Sequence, residues 1–441
     1  MITIDQPVLD PDIFQKAAAD IVINREFSQN LKRQHCLEKY SAWKSIKYQD
    51  DTEHGFNPKH VWAMLNGMRR NNRIPLPMID EDSEPFCFWN LPRYQKFFRD
   101  FDSLCSGQIL SDSPLHKRIF IQNGELEESI YSSKIEGAVT TISEAKIMIQ
   151  QDRNPRNKSE QMIINNYETM KRIRTEWHEQ PLSLELLFTM HQTITQQTDI
   201  RNDQIGRLRT NADNIKVIDE LTGEIAHIPP DEKFLQDQII HLINFANDTA
   251  SANEDYWHPL VKAIVLHFWI GYLHPFADGN GRLARSLFYW YLLRNGYWAI
   301  PFIPISAKIS RSPAQYRDAY LLTEQVDNDF NYFFEYHLRQ IKLAIADFKV
   351  NLSQLRQQKT ATSSFVRQGF NDRQAELLQY FLVKPDGRTN ISIHQHYHQV
   401  SYLTARSDLL HLEEEGLLSS RKSGRTLWFW GEVNNIQPLI T

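Results

Sequence analysis

Within residues 274–285 the chain reads His-Pro-Phe-Ala-Asp-Gly-Asn-Gly-Arg-Leu-Ala-Arg. Each polar residue here suits one task in phosphate chemistry. His274 offers an imidazole, the usual proton acceptor near neutral pH. Pro275 biases His274 away from helical backbone, which puts the imidazole at the lip of a turn. Asp278 is a hard oxygen ligand of the kind that shares Mg²⁺ with substrate phosphates. Gly279 and Gly281 flank Asn280 and, lacking side chains, let backbone amides approach anionic oxygens. A helix begins near Arg282, and a helix N-terminus attracts anions through its free amides and its dipole. Arg282 adds a charge-assisted grip at that end, and Arg285 lies three residues on, on roughly the same face. A turn, a solvated arginine or a structural histidine would each be ordinary alone. Their convergence in one window points to a Mg²⁺-bound polyphosphate and an attacking hydroxyl. No Gly-Lys-Ser/Thr comes after the glycines, so this is not a Walker loop. His258, His267 and His274 lie nine and seven residues apart with no cysteine nearby, which does not suit zinc.

The elements that must hold this segment read as mainly helical. Apolar spacing near 3.6 predicts helices over Glu125–Ile149, Ser159–His178, Leu182–Gln196, Asp231–Asn247, His258–Leu273, Arg282–Asn295, Pro313–Glu324 and Asp329–Phe348. Asn214–Pro230 departs from the pattern. β-Branched residues flank Thr222-Gly223 and a double proline closes the segment, which predicts a β-hairpin. Upstream, a helix is predicted around Phe14–Phe27, and another carries Trp62, Leu65 and Arg69 and ends before Ile74-Pro75-Leu76-Pro77. Asp80–Pro92 reads as short and extended or irregular, with Phe86, Phe88 and Trp89 docking residues 1–90 onto the next domain.

The 274–285 segment matches the signature His-x-Phe-x-Asp/Glu-Gly-Asn-Gly-Arg-x-x-Arg at every defined position, and so resembles the Fic family. The resemblance implies a Fic-type helical bundle that transfers AMP from ATP to a Tyr, Ser or Thr hydroxyl of a target protein or of itself. On that analogy His274 is the base, Asp278 holds Mg²⁺, Gly279, Asn280 and Gly281 form the anion-binding nest, and Arg282 binds phosphate. The hairpin 214–230 resembles the family's flap, which pairs main chain with the target segment. Tyr316 resembles the aromatic near the adenine, although the second tyrosine common in the family is Arg317 here, and a core tyrosine is the other reading of Tyr316. Upstream, Ser132-Ser133-Lys134-Ile135-Glu136-Gly137 resembles the family's inhibitory Ser/Thr-x-x-x-Glu-Gly/Asn. There Ser132 and Glu136 share a helix face, Gly137 marks a helix end or close packing, and Glu136 pairs with Arg285 to obstruct the γ-phosphate. An inhibitory helix over about 125–149 is therefore expected within a core of 91–350.

A linker is expected at 351–370. Beyond it, helices over Arg373–Leu382, Ile393–Val400 and Thr404–Glu414 precede Leu417–Ser420 and Thr426–Trp430, which resembles a winged helix-turn-helix over 371–441. Arg406, Arg421, Lys422 and Arg425 could meet nucleic acid phosphates, whereas Asp408 and Glu413–Glu415 oppose this. A DNA partner, a protein partner and a homodimer all stay open. The 441 residues carry 41% hydrophobic and 12% aromatic side chains and a formal charge of −5, which gives no global pull toward nucleic acid or anionic membrane. Cys36, Cys87 and Cys105 read as reduced thiols of a cytoplasmic protein. Met1–Asp12 has no basic n-region, and the most apolar run, Val261–Phe276, is too short to span a membrane. Two alternatives accompany the transferase reading: removal of AMP on the same fold, and a winged-helix DNA-binding regulator whose Fic domain senses nucleotide.

Overall fold

The computed structural model describes residues 1–48, 55–106, 114–248, 257–424 and 426–440, without the side chains of 114–122, 354–363 and 440. The chain forms two compact units. One comprises Met1–Val139 and Asn157–Ala344, the other Thr140–Arg156 and Ile345–Thr441. Both are mainly helical. Among the described residues no helix is long and apolar enough to cross a membrane.

The centre of the first unit is the helix Pro259–Leu273. Thirteen of its fifteen residues are buried, so it carries apolar side chains all round and sits inside a shell of others. Pro259 occupies its first turn and the His258 ring accepts the Leu260 amide, which satisfies a free donor there. The helix Asn280–Arg294 packs beside it, and the 274–285 segment supplies both the turn that joins the two, 274–279, and the start of the second. Helices Leu184–Thr195, Lys158–Thr175 and Pro313–Gln325 complete the surround, close to their predicted bounds. The hairpin is present as Val217–Ile218 antiparallel to Ile225–His227.

Residues 1–90 belong to this same unit. The helix expected around Phe14–Phe27 is broken at Asn24 into Pro11–Ile23 and Arg25–Lys32. Ile74–Ile79, read only as a helix stop, is a strand antiparallel to Pro85–Phe88. Its two prolines disguise it, yet a two-stranded edge tolerates them, and Leu76 and Met78 alternate into the core. Phe86 packs edge-on against Phe268 and Tyr272, and Phe88 against Phe334, as the docking role requires.

Two further expectations are corrected. The helix predicted over Glu125–Ile149 is two helices, Pro114–Ile135 and Ile142–Gln150. The first ends in a cap: Ala138 N–H donates to Ser133 O at 3.0 Å while Gly137 sits at φ 86°. The second starts on a Thr141/Glu144 capping box, a signature that apolar periodicity alone overlooks. The linker expected at 351–370 is instead the distal part of one helix, Asn331–Arg367. No Pro or Gly interrupts that stretch, and the Ser/Thr cluster that suggested a linker did not break it. Gly369, at φ 99°, ends it.

In the second unit, helices Asp372–Val383, Ile391–His398 and Tyr402–Glu414 surround a core that includes Leu378, Phe381, Leu409 and Phe429. Thr426–Gly431 is the middle strand of three, between Thr389–Asn390 and Leu418–Ser423. Asp408 does not face solvent. It is buried, accepts from Arg373 Nε at 2.6 Å and Asn371 Nδ2 at 2.9 Å, and so cannot repel a partner as its sequence position suggested. Arg406, Arg421 and Lys422 are exposed, and Arg425 lies outside the described residues.

His337 is fully buried, donates to the Phe333 carbonyl at 3.0 Å, and has a pKa lowered to about 3, by burial first. Folded, its ring stays neutral down to that value. Unfolded, it takes a proton below about 6.5. It therefore withdraws stability as pH falls from 6.5 toward 3, at about 1.4 kcal/mol per pH unit. His337→Gln should lose less stability than wild type between pH 7 and pH 5, by about 2 kcal/mol. Urea unfolding at both pH values measures this difference, and parallel losses would refute it.

Candidate functional site

The helix Pro259–Leu273 ends because His274 turns into the left-handed region, at φ 46° and ψ 58°. That conformation is costly for a residue with a Cβ and concentrates where function demands it. Its amide still closes the helix by donating to Ile270 O at 2.9 Å. The ring is held neutral. Its pKa is lowered to about 3, chiefly by burial, then by the charges of His227 and Arg209. A neutral imidazole has a lone pair to accept a proton.

Phe276 enters the core, fully buried, with the His191 ring stacked on it at 3.9 Å. His191 accepts the Gly206 amide on Nδ1 at 3.1 Å and donates from Nε2 to the Asp278 carbonyl at 2.9 Å. One nitrogen accepts and the other donates, which fixes a neutral tautomer. Burial, the largest influence, lowers its pKa to about 4 in keeping with that. Asn280 closes the loop with its side chain, which accepts Phe276 N–H at 2.9 Å and donates to Phe276 O at 2.8 Å. Its contribution to a nest is thus its backbone, the side-chain amide being spent on the loop.

Gly279 is the N-cap of the helix Asn280–Arg294, at φ 83°, with no side chain capping the first turn. The turn's amides are therefore free to meet an anion. Arg282 is buried beneath the loop. It donates to Ile194 O at 3.1 Å and to Asp278 Oδ2 at 2.9 Å, and its Nε has no partner among the described residues. Asp278 is half exposed. Among the described residues no three His, Cys, Asp or Glu side chains cluster to hold a metal by themselves. One solvent-facing carboxylate suits Mg²⁺ that arrives with phosphates and keeps waters, rather than a protein cage.

Arg285 is buried one turn further on. Its Nε donates to Ser132 Oγ at 2.8 Å, and Nη2 donates to Ser132 O at 2.9 Å and to Glu136 Oε1 at 2.8 Å. Nη1 has no partner among the described residues. Burial alone would lower its pKa, but Glu136 and its other anionic surroundings raise it. Gly281 completes the arrangement, since a Cβ there would collide with the Glu136 carboxylate. The carboxylate thus rests on the N-terminal turn of the helix, where an anion is favoured. Gly137 supplies the left-handed turn just past it, close to Glu220 in the hairpin turn.

Tyr316 is turned inward. Its hydroxyl pairs with His267 Nε2 at 2.8 Å, and its ring lies against Tyr320 and Tyr336. Arg317 instead reaches the hairpin, donating to Asp219 Oδ2 at 3.0 Å. The structure thus gathers His274, Asp278, Gly279, Asn280, Gly281, Arg282, Arg285, Ser132, Glu136 and Gly137 in one unit, with Tyr316 in the wall behind Arg285. Sequence reasoning missed His191, Arg209 and His227. They stand far before His274 in the chain, and although His227 lies in the predicted hairpin, nothing local in the sequence ties any of the three to His274.

Residues 181–292 match the Fic/DOC family. This stretch contains the whole 274–285 segment and the hairpin. Over 116 residues the chain is 26% identical to the protein adenylyltransferase fic-1 of Caenorhabditis elegans, covering 26% of this chain and 20% of that protein. It is 39% identical over 72 residues to the protein adenylyltransferase Fic of Nematostella vectensis, 16% of each chain. A uridine 5'-monophosphate transferase of Xanthomonas campestris is 31% identical over 148 residues, 32% of this chain and 26% of the relative. The chain therefore spans about a quarter or less of these relatives. Among solved structures, a Fic family protein from Desulfovibrio desulfuricans G20 is 17% identical, with 77% of this chain and 95% of that chain covered and a TM-score of 0.49. Residues 134–508 of the C. elegans Fic-1 give 16%, 77%, 86% and 0.48.

Asn280→Ala removes both bonds to the Phe276 backbone and leaves a buried donor and acceptor unmet. The loss should be about 1–3 kcal/mol. Denaturant unfolding checks it, and a loss near zero would show that the loop closes without the amide.

Proposed function

We propose that this chain is an autoinhibited protein adenylyltransferase, moving AMP from ATP to a hydroxyl of a protein. The observation that carries the reading is the Glu136 carboxylate, paired with Arg285 and lying on the helix turn at Gly281. A buried arginine with a spare donor beside free helix amides is built to meet an anion. The chain meets it with its own carboxylate.

In the reaction, the acceptor oxygen bonds to the α-phosphorus as the bond to the β-phosphate oxygen breaks, and pyrophosphate leaves. His274, neutral, takes the acceptor proton. Asp278 would hold Mg²⁺, which neutralises charge on the phosphates. Amides of the first helical turn and Arg285 would meet the anionic tail, with Arg282 supporting the loop from beneath and Tyr316 lining the pocket. The hairpin would pair with the acceptor segment's main chain, which fixes a hydroxyl in place without reading neighbouring side chains. Glu136 bars this by occupying Arg285 and repelling phosphate. The resemblance to adenylyltransferases favours ATP as donor, and the uridylyl relative makes UTP the comparison to run.

The test is intact mass of Glu136→Gly protein after incubation with Mg²⁺ and either nucleotide. The expected result is a gain of one or more AMP units with ATP, at least about tenfold above wild type. His274→Ala in the same background should gain none. Labelling equal in wild type and Glu136→Gly would remove the brake, and labelling of the His274→Ala protein would remove the base.

A further inference from the structure

A helix of this kind leaves its last carbonyls without intrahelical donors, and inside a protein each needs one. At the end of Pro259–Leu273 the His274 ring meets Gly271 O, and the carbonyls after it take donors from the stretch leading into and through the hairpin. His227 Nε2 donates to Tyr272 O at 2.8 Å. Arg209 donates from Nη2 to Leu273 O at 3.1 Å and from Nε to His274 O at 2.7 Å, while its own amide donates to Pro275 O at 2.8 Å. Nη2 also reaches Pro230 O, the last residue before the cap of the next helix, at 2.5 Å. Arg209 is 5% exposed, and every one of these partners is a main-chain carbonyl. A surface arginine or an ordinary ion pair would not be built this way. Arg207, two residues earlier, shows the contrast: it points outward to Asp213 at 2.8 Å.

We propose that Arg209 is a positioning residue for the AMP transfer assigned to this site: its guanidinium fixes the left-handed turn at His274 and ties it to the end of the hairpin at Pro230. Three carbonyls converge on one planar fork, so the turn cannot relax without breaking charge-assisted bonds. The cation also sits at a helix C-terminus, where positive charge is favoured. Base and docking hairpin are thereby held in one frame. Acceptor hydroxyl and imidazole need that registry, because displacement of about 1 Å at a reacting group can cost about a hundredfold in rate. The charged and titratable groups around the His274 ring are His227, Arg209 and Asp278, with Glu324 behind His227 at 2.9 Å.

The proposal rests on the transferase reading, so its test has an arm that does not. In the Glu136→Gly background, Arg209→Gln should lower kcat for AMP incorporation about a hundredfold while KM for ATP moves less than about threefold. Arg209→Lys keeps the charge but not the fork, and should fall between. Unchanged kcat, or a loss fully accounted for by a reduced folded fraction on thermal melting, overturns the proposal. Should Arg209→Gln fail to fold, Arg209→Lys decides it by the same kcat and KM split. Independently of any transfer, the His274 ring signals in a histidine-labelled NMR spectrum should shift in folded Arg209→Lys while those of His337 hold still. Unmoved His274 signals refute the positioning role even if the protein transfers nothing, and absent transfer with Glu136→Gly alone refutes only the function.

Discussion

A buried arginine at the start of a helix cannot be left alone. Arg285 brings a full charge to a place where the free amides of the same helix already favour an anion. Something negative has to settle there. In this structure it is Glu136, and the rest of the first unit can be understood as deciding how firmly that carboxylate is delivered and what could replace it.

The delivery is firm along the helix and loose at its tip. Glu125 is buried and pairs with Arg174. Glu128 is buried and accepts from Tyr289 Oη at 2.8 Å and the Ser306 amide at 3.0 Å. Ser132 is buried against Arg285. These anchors recur every three to four residues and pin one face of Pro114–Ile135 into the core. Glu136 lies beyond the last helical residue and is 24% exposed. An incoming anion therefore has to displace one carboxylate at a glycine-backed end, not a whole helix. His274 is prepared in the opposite manner, by a surround that leaves it no freedom. The helix end is saturated with donors and its left-handed backbone is locked.

How far the sequence reveals this depends on distance along the chain. The 274–285 segment is contiguous, so its residue types and spacing could be weighed together, and the resemblance it carried anticipated the pairing of Glu136 with Arg285. The hairpin was legible because β-branched residues around Thr222-Gly223 broke a helical background. Arg209, His191 and His227 were not, since their meaning lies in main-chain carbonyls and rings brought to them by folding. Gly137 was read as a helix end or close packing, but apolar periodicity on both sides of it still joined Pro114–Ile135 and Ile142–Gln150 into one expected helix. Composition misled in the other direction at 351–370, where Ser and Thr suggested a linker but the chain, without Pro or Gly as far as Arg367, stayed helical to that residue. Tyr316 shows a subtler limit, in that the inward turn of its hydroxyl depends on His267, 49 residues away.

The chain leaves the first unit at Val139 and returns at Asn157, and the segment between is counted with the carboxyl-terminal unit. Its helix Ile142–Gln150 buries Ala145 and Met148 completely. A fragment trimmed at residue 344 would therefore not be the first unit alone. It would retain a short amphipathic helix stripped of its apolar cover, tethered within a few residues of Glu136. Measurements on such a fragment would report the behaviour of a frayed tether as much as that of the first unit, because an apolar stripe left exposed is a site for self-association.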